Sequence, residues 1–236
     1  MKRILRYQIS CIIVLLLSLS ACIREDVGPY QPDQQTYALA GFDRLDMGSA
    51  FSITVQSGPA FAIVAEGDRR NLDDLDVYTR NGTLFAEYRT NRSRKHQTSF
   101  LITMPTLRGV AFSGASQSTI TGFPDLSNLA IDLSGASKSQ FSGGASRMTV
   151  QLSGASVLQV NGDGAYLSAD LSGASSLQAF SYPVAEADVT ASGASKANVS
   201  VGSSLVVNAS GASTIRYRGT PAVRQRVSGA STVKSE

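Results

Sequence analysis

The sequence predicts an all-β protein: a right-handed parallel β-helix, or β-solenoid, of about seven short rungs, preceded by a β-rich N-terminal segment. Two observations carry this. First, the tetrapeptide Ser-Gly-Ala-Ser recurs, beginning at Ser113, Ser134, Ser153, Ser172, Ser192, Ser210 and Ser228. The intervals run 21, 19, 19, 20, 18 and 18 residues, and a self-similar period near 20 is the mark of a stacked repeat. Second, apolar residues alternate on the approach to each copy. Leu129, Ile131 and Leu133 are followed one repeat later by Met148, Val150 and Leu152, then by Leu167, Ala169 and Leu171, Ala187, Val189 and Ala191, and Leu205, Val207 and Ala209. Period two means a strand with one buried face.

A second short strand follows each tetrapeptide, with inward candidates Leu158 and Val160, Leu177 and Ala179, Ala197 and Val199, and Ile215 and Tyr217. A single rung cannot bury its own apolar face, whereas stacked rungs cover one another at about 4.8 Å. The tetrapeptide is expected to form the corner between strands. Gly accepts positive φ there, Ala is expected to point into the tapering interior, and the two Ser hydroxyls to bond local backbone or Ser in neighbouring rungs. A Ser-Gly pair also invites a catalytic reading, but a serine nucleophile needs one activated Ser beside a base. Here the Ser recurs in every rung and the chain holds a single His, His96. The serines are therefore read as structural and no catalytic residue is assigned.

Residues 1–21 read as a lipoprotein signal peptide. Lys2, Arg3 and Arg6 form a basic start, and Ile12–Leu19 is an apolar run too short to span a bilayer. Leu19-Ser20-Ala21-Cys22 resembles the lipobox of bacterial lipoproteins, which makes Cys22 the expected lipid attachment site and the lipid the expected link to a membrane. The chain has 21 Lys and Arg against 18 Asp and Glu. Removing the segment removes three bases and no acids, so the mature chain is near neutral. It lacks the basic footprint of a nucleic-acid-binding protein. Cys11, the other cysteine, leaves with the segment, so no disulfide or cysteine metal site is expected. Residues 22–37 are polar and carry Pro29 and Pro32, the composition of a flexible tether. Glu25 and Asp26 resemble the acidic signals that direct lipoproteins of the Bacteroidetes type to the outer surface.

Residues 38–106 are β-rich without the tetrapeptide. Phe51–Val55 alternates, Phe61–Ala65 is apolar, Asn81-Gly82 is a hairpin signal between Val77-Tyr78 and Leu84–Tyr88, and Phe100–Met104 ends at Pro105. Asp68–Asp76 allows one helical turn. Gly41-Phe42-Asp43-Arg44-Leu45, Gly48, Val64–Asp68, Asn71-Leu72, Asn81–Leu84 and Met104–Leu107 leading into Val110–Gly114 resemble the opening of the head GIN domain family, the putative auto-transporter adhesins. The resemblance extends over about residues 38–231. It implies an all-β domain with a β-helical part on an exported protein of Bacteroidetes-like bacteria, and it supplies no catalytic residues. The segment is expected to cap or extend the solenoid that occupies residues 107–236.

Other constellations have plain structural readings. Asp132 and Asp170 share one outward position two rungs apart, about 9–10 Å by strand spacing. That separation reaches the upper limit for an inverting glycosidase and exceeds that of a retaining one. Asn161-Gly162-Asp163-Gly164 resembles one unit of a Gly-Asp calcium repeat, but such sites need tandem copies, so a turn between strands is expected. Asp73, Asp74 and Asp76 read as a solvated loop, and Asn91–His96 as a solvated basic hairpin loop. Arg216, Arg218, Arg224 and Arg226 point outward by alternation with Tyr217 and Val227, either as a charged cap on the last rung or beneath a partner, with the cap favoured. No cofactor or metal is expected.

The function expected is non-enzymatic: a lipid-anchored protein of the outer membrane, exposed at the surface, presenting a rigid polar face for adhesion. Asp132, Gln151, Asp170 and Asn208 are the candidate ligand surface, and the ligand a glycan or a surface protein. The alternatives are a polysaccharide-degrading β-helix enzyme and a structural or assembly component of the envelope.

Overall fold

The structure, a computed structural model, describes residues 28–236; the signal segment, Cys22, Glu25 and Asp26 lie outside the described residues. The alternation within each repeat becomes a parallel ladder of β9 (Gln117–Leu133), β10 (Lys138–Leu152), β11 (Val157–Leu171), β12 (Ser176–Ala191) and β13 (Lys196–Ala209). Leu129 pairs with Met148, Met148 with Leu167, Leu167 with Ala187 and Ala187 with Leu205. The apolar positions therefore stack into columns, and all fifteen expected before the corners are buried. Each large aliphatic side chain so buried contributes roughly 1.5–3 kcal/mol. The result is a β-solenoid of about seven turns, not a barrel.

The corner differs from expectation in which residue faces in. The Ala of the tetrapeptide is exposed in every copy, and the second Ser is buried in the first six, at Ser116, Ser137, Ser156, Ser175, Ser195 and Ser213. The reason is hydrogen bonding. Ser156 Oγ lies 2.8 Å from the Ser153 carbonyl and 3.2 Å from the Leu133 carbonyl of the preceding rung. Ser116 reaches Ser113 and Gly48 in the same way. An inward Ala would leave those carbonyls without this donor. The Gly in the corner is required by contact as well as by φ. At Gly154, with φ +69°, a Cβ would lie 2.4 Å from the Gly135 carbonyl oxygen of the rung before, against which the Ala155 amide makes a 2.7 Å hydrogen bond to the same oxygen.

The N-terminal segment both extends and caps the solenoid. β2 (Arg44–Met47) and β3 (Ser52–Ser57) form one further rung, and β6 (Thr83–Tyr88) and β7 (Ser99–Met104) another. β2 lies between β6 and β8 (Gly109–Phe112), and β3 between β7 and β9, all parallel. The rung made second thus lies outermost, and the chain returns past the first to continue at β8. Antiparallel strands close this end: β4 (Ala62–Asp68) on β7, and β5 (Leu75–Arg80) on β6 through the Asn81-Gly82 turn, both of whose residues have positive φ. The single helical turn, α1 (Arg69–Leu72), is capped by the Asp68 side chain.

Residues 32–36, expected within the tether, form a strand, β1 (Pro32–Thr36), antiparallel to β4. The outer edge of β4 carries backbone groups that need partners, and β1 supplies them despite its polar composition. At the opposite end are β14 (Thr214–Arg218), β15 (Ala222–Val227) and β16 (Thr232–Ser235). Arg216, Arg218, Arg224 and Arg226 are exposed, as alternation requires. Arg216 and Arg218 pair with Glu236 at 3.0 and 3.5 Å. Val227 is 45% exposed, because no further rung covers β15.

Candidate ligand-binding face

The parallel register aligns the outward residue two positions before each corner into one column. Asp46 is aligned with Ala111, Ala111 with Asp132, Asp132 with Gln151, Gln151 with Asp170, Asp170 with Thr190, Thr190 with Asn208 and Asn208 with Arg226. The four residues singled out by sequence, Asp132, Gln151, Asp170 and Asn208, therefore lie on one face over about 19 Å, four strand spacings. The first three are exposed and Asn208 is half-buried. At the capped end of the column, burial raises the pKa of Asp46, and the nearby charges of Glu87 and Asp132 raise it further. Among the described residues no group of three or more His, Cys, Asp or Glu is arranged to hold a metal ion.

Two parallel columns run beside this one, both on its N-terminal side. One runs Arg44, Gly109, Ala130, Thr149, Ser168 and Asp188; the other runs Asn128, Arg147, Tyr166 and Glu186. A concavity of about 550 Å³ opens here, lined by Arg44, Arg108, Asp125, Asn128, Ala130 and Arg147 among others. Its floor is low at Ala130, where the next rung carries Thr149. Arg44 and Arg108 lie 3.8 and 3.2 Å from Asp43, and the Arg147 guanidinium lies 4.4 Å over the Tyr166 ring. Sequence reading passed over these arginines, because Arg44, Arg108 and Arg147 become neighbours only through the register of β2, β8, β9 and β10.

The remaining constellations resolve as follows. Asn161–Gly164 lies inside β11 rather than in a turn between strands. A Cβ on Gly164 would lie 2.5 Å from the Tyr182 hydroxyl; the glycine there makes room for that ring. The Asn91–His96 segment is largely solvated as expected, with Asn91, Arg92, Ser93 and Lys95 exposed, but it is not a hairpin. It joins β6 to β7 along the outermost rung, and Arg94 is drawn in, paired with Asp74 and 3.4 Å over the Tyr88 ring. Asp74, expected in a solvated loop, is mostly covered and also faces Arg92 at 3.8 Å. Burial pushes its pKa up, but the Thr90 hydrogen bond and the charges of Arg94 and Arg92 outweigh burial and hold it low. His96 lies in the same segment, its ring 4.8 Å from that of Tyr30.

The family model described as putative auto-transporter adhesin, head GIN domain, matches residues 41–221. Among solved structures, a putative adhesin from Bacteroides fragilis is similar at 18% identity, with a TM-score of 0.81 over 87% of this chain and 97% of its own. A putative adhesin from Parabacteroides distasonis is similar at 14% identity, with a TM-score of 0.73 over 89% of this chain and 98% of its own. A second protein from Parabacteroides distasonis, called a putative lipid binding protein, is similar at 15% identity, with a TM-score of 0.63 over 87% and 96%. These likenesses establish the shared fold. No curated protein matches the chain.

Proposed function

Since the chain belongs to the head GIN domain family of putative auto-transporter adhesins, we propose that it is a non-enzymatic envelope adhesin, anchored by a lipid on Cys22 and exposed at the outer surface. The ligand is a glycan or surface protein, met by the polar column Asp132, Gln151, Asp170 and Asn208. The carrying observation is the register: Asp132, Gln151 and Asp170 follow one another at one strand spacing, and Asn208 stands two spacings further on, past Thr190, on a backbone held by stacked corners. Such a face meets a repeating polymer without conformational ordering of its own, which lowers the entropic cost of binding. The lipobox-like Leu19–Cys22 supports the anchor.

Two experiments test this. Protease shaving of intact cells should cleave the native protein, and a Cys22→Ala form should be lost from the envelope. A native protein that is retained but protected from protease overturns surface exposure. On a glycan array and on host-cell extracts, the quadruple Ala variant of Asp132, Gln151, Asp170 and Asn208 should lose binding that the native protein shows. Release of shortened products from a bound polysaccharide, lost on Asp132→Asn or Asp170→Asn, would replace adhesion by cleavage.

A further inference from the structure

We propose that the concavity lined by Arg44, Arg108 and Arg147 is a second binding site, distinct from the polar column, and that it takes a chain-like polyanion: an acidic or sulfated polysaccharide.

The argument begins with shape. Arg44, Gly109, Ala130 and Thr149 occupy one outward column on four successive strands. Ala130, exposed and lining the concavity, is the small side chain that keeps its floor low between Arg44 and Thr149. The volume of about 550 Å³ is that of an ordinary ligand site.

Charge placement then selects the ligand. The guanidinium groups do not converge. Arg44 and Arg108 are drawn to one side by a single carboxylate, Asp43. Arg147 is held on the other side by the Tyr166 ring, one strand further along the axis. Arg44 and Arg147 stand on strands three spacings apart, about 14 Å. One phosphate or carboxylate cannot satisfy both ends. A polymer with acidic groups at intervals can, with each planar guanidinium offering a two-pronged donor. Asn128, Ser127 and Thr149 between them offer hydrogen bonds to hydroxyls. Asp125 also lines the concavity and opposes an anion, so its removal should tighten binding.

The test uses the mature full-length protein in titration calorimetry against heparin, polygalacturonate and neutral dextran, and against vesicles of phosphatidylcholine with phosphatidylserine. Binding to heparin or polygalacturonate but not dextran is expected, weakening as salt is raised. Arg108→Ala and Arg147→Ala should each weaken it about tenfold or more. Ala130→Leu, which fills the floor at an exposed position, should abolish it with the melting temperature unchanged, and Asp125→Asn should strengthen it. The quadruple Ala variant of the polar column should bind the polyanion normally, so that failure of one site is read separately from failure of the other. Equal binding of dextran, indifference to all of these variants, or binding of the anionic vesicles alone would overturn the proposal.

Discussion

The Tyr182 hydroxyl donates a 3.0 Å hydrogen bond to the Ala145 carbonyl and accepts one of 3.2 Å from the Ala145 amide. Ala145 is on β10 and Tyr182 on β12, so the ring crosses β11, where Gly164 leaves space for it. One fully buried side chain thereby ties three rungs together inside the solenoid.

Tyr182→Phe keeps the ring and removes both bonds, leaving a buried carbonyl and amide without that partner. It should destabilise by about 1–3 kcal/mol, read as a lower urea midpoint at an unchanged slope. Gly164→Ala should be worse than Tyr182→Phe, because its Cβ also meets the Ala145 carbonyl oxygen at 2.6 Å.

Alkaline pH should act through the same residue. Burial raises the Tyr182 pKa above 10.0; the Ala145 hydrogen bond works the other way, and Asp163 adds to the rise. Tyr37 and Tyr88 are also raised, chiefly by burial. A group whose folded pKa exceeds its unfolded value contributes stability that is whole below the unfolded pKa and lost as pH climbs through the folded one. The melting temperature should therefore not respond to these tyrosines at neutral pH and should fall above pH 10, with a shallower fall in Tyr182→Phe. An equal fall in that variant would remove Tyr182 from the account.

At the capped end the sign reverses. The Asp68 carboxylate receives Arg70 Nε at 2.7 Å, the Arg70 amide at 3.1 Å and the Gln31 amide at 3.4 Å. The Arg70 side-chain hydrogen bond leads in holding its pKa well below 3.8; burial opposes it, and the two backbone bonds and the Arg70 charge add to the lowering. Stability from a depressed carboxylate is present above the unfolded pKa and lost as pH falls through the folded one. Asp68→Asn should cost about 1 kcal/mol at neutral pH as a weakened helix cap and ion pair. It should also flatten the loss of stability below pH 4, measured by urea unfolding across the acid range.

Much of this architecture was legible in the sequence, and the failures have physical causes. Leu129, Ile131, Leu133 and their repeats announced a buried strand face because strand periodicity is local. The tetrapeptide located every later corner, but not the direction of its side chains. Size placed Ala inward, whereas the carbonyls of Leu133 and Ser153, which accept from the inward hydroxyl, select Ser156 instead. The rungs β2–β3 and β6–β7 were hidden because chain order and stacking order differ there, and because Gly48, Ser49 and Ala50 replace the tetrapeptide at the corner before Phe51. The polar column followed from the repeat. The arginine concavity did not, since its members come from strands that only the register brings together.

The corner permits a paired prediction. Ser156→Ala should lose about 1 kcal/mol, while Ala155→Ser, at the exposed neighbour, should be neutral. Gly154→Ala should cost about 1–2 kcal/mol from the left-handed backbone alone, and more from the contact with Gly135. Thermal melts of the three variants should rank Gly154→Ala lowest. A Ser156→Ala variant as stable as the parent would show that the buried hydroxyl column is tolerated rather than required.

The last prediction concerns the edge that β1 covers. β4 presents an alternating strand with Ile63, Ala65 and Gly67 buried, and its outer backbone groups are taken by Pro32–Thr36. Were those residues absent, β4 would become an open edge of the kind that recruits another strand. β1 is suited to end the sheet: it begins with Pro32, carries Asp33, and its residues are mostly exposed. A variant lacking residues 28–36 should keep its solenoid, by far-ultraviolet circular dichroism, yet elute as larger species as concentration rises in light-scattering chromatography. The parent should show no such additional increase over the same range. If the shortened protein matches the parent throughout, β1 is a passive extension of the chain and not the guard of the capped end.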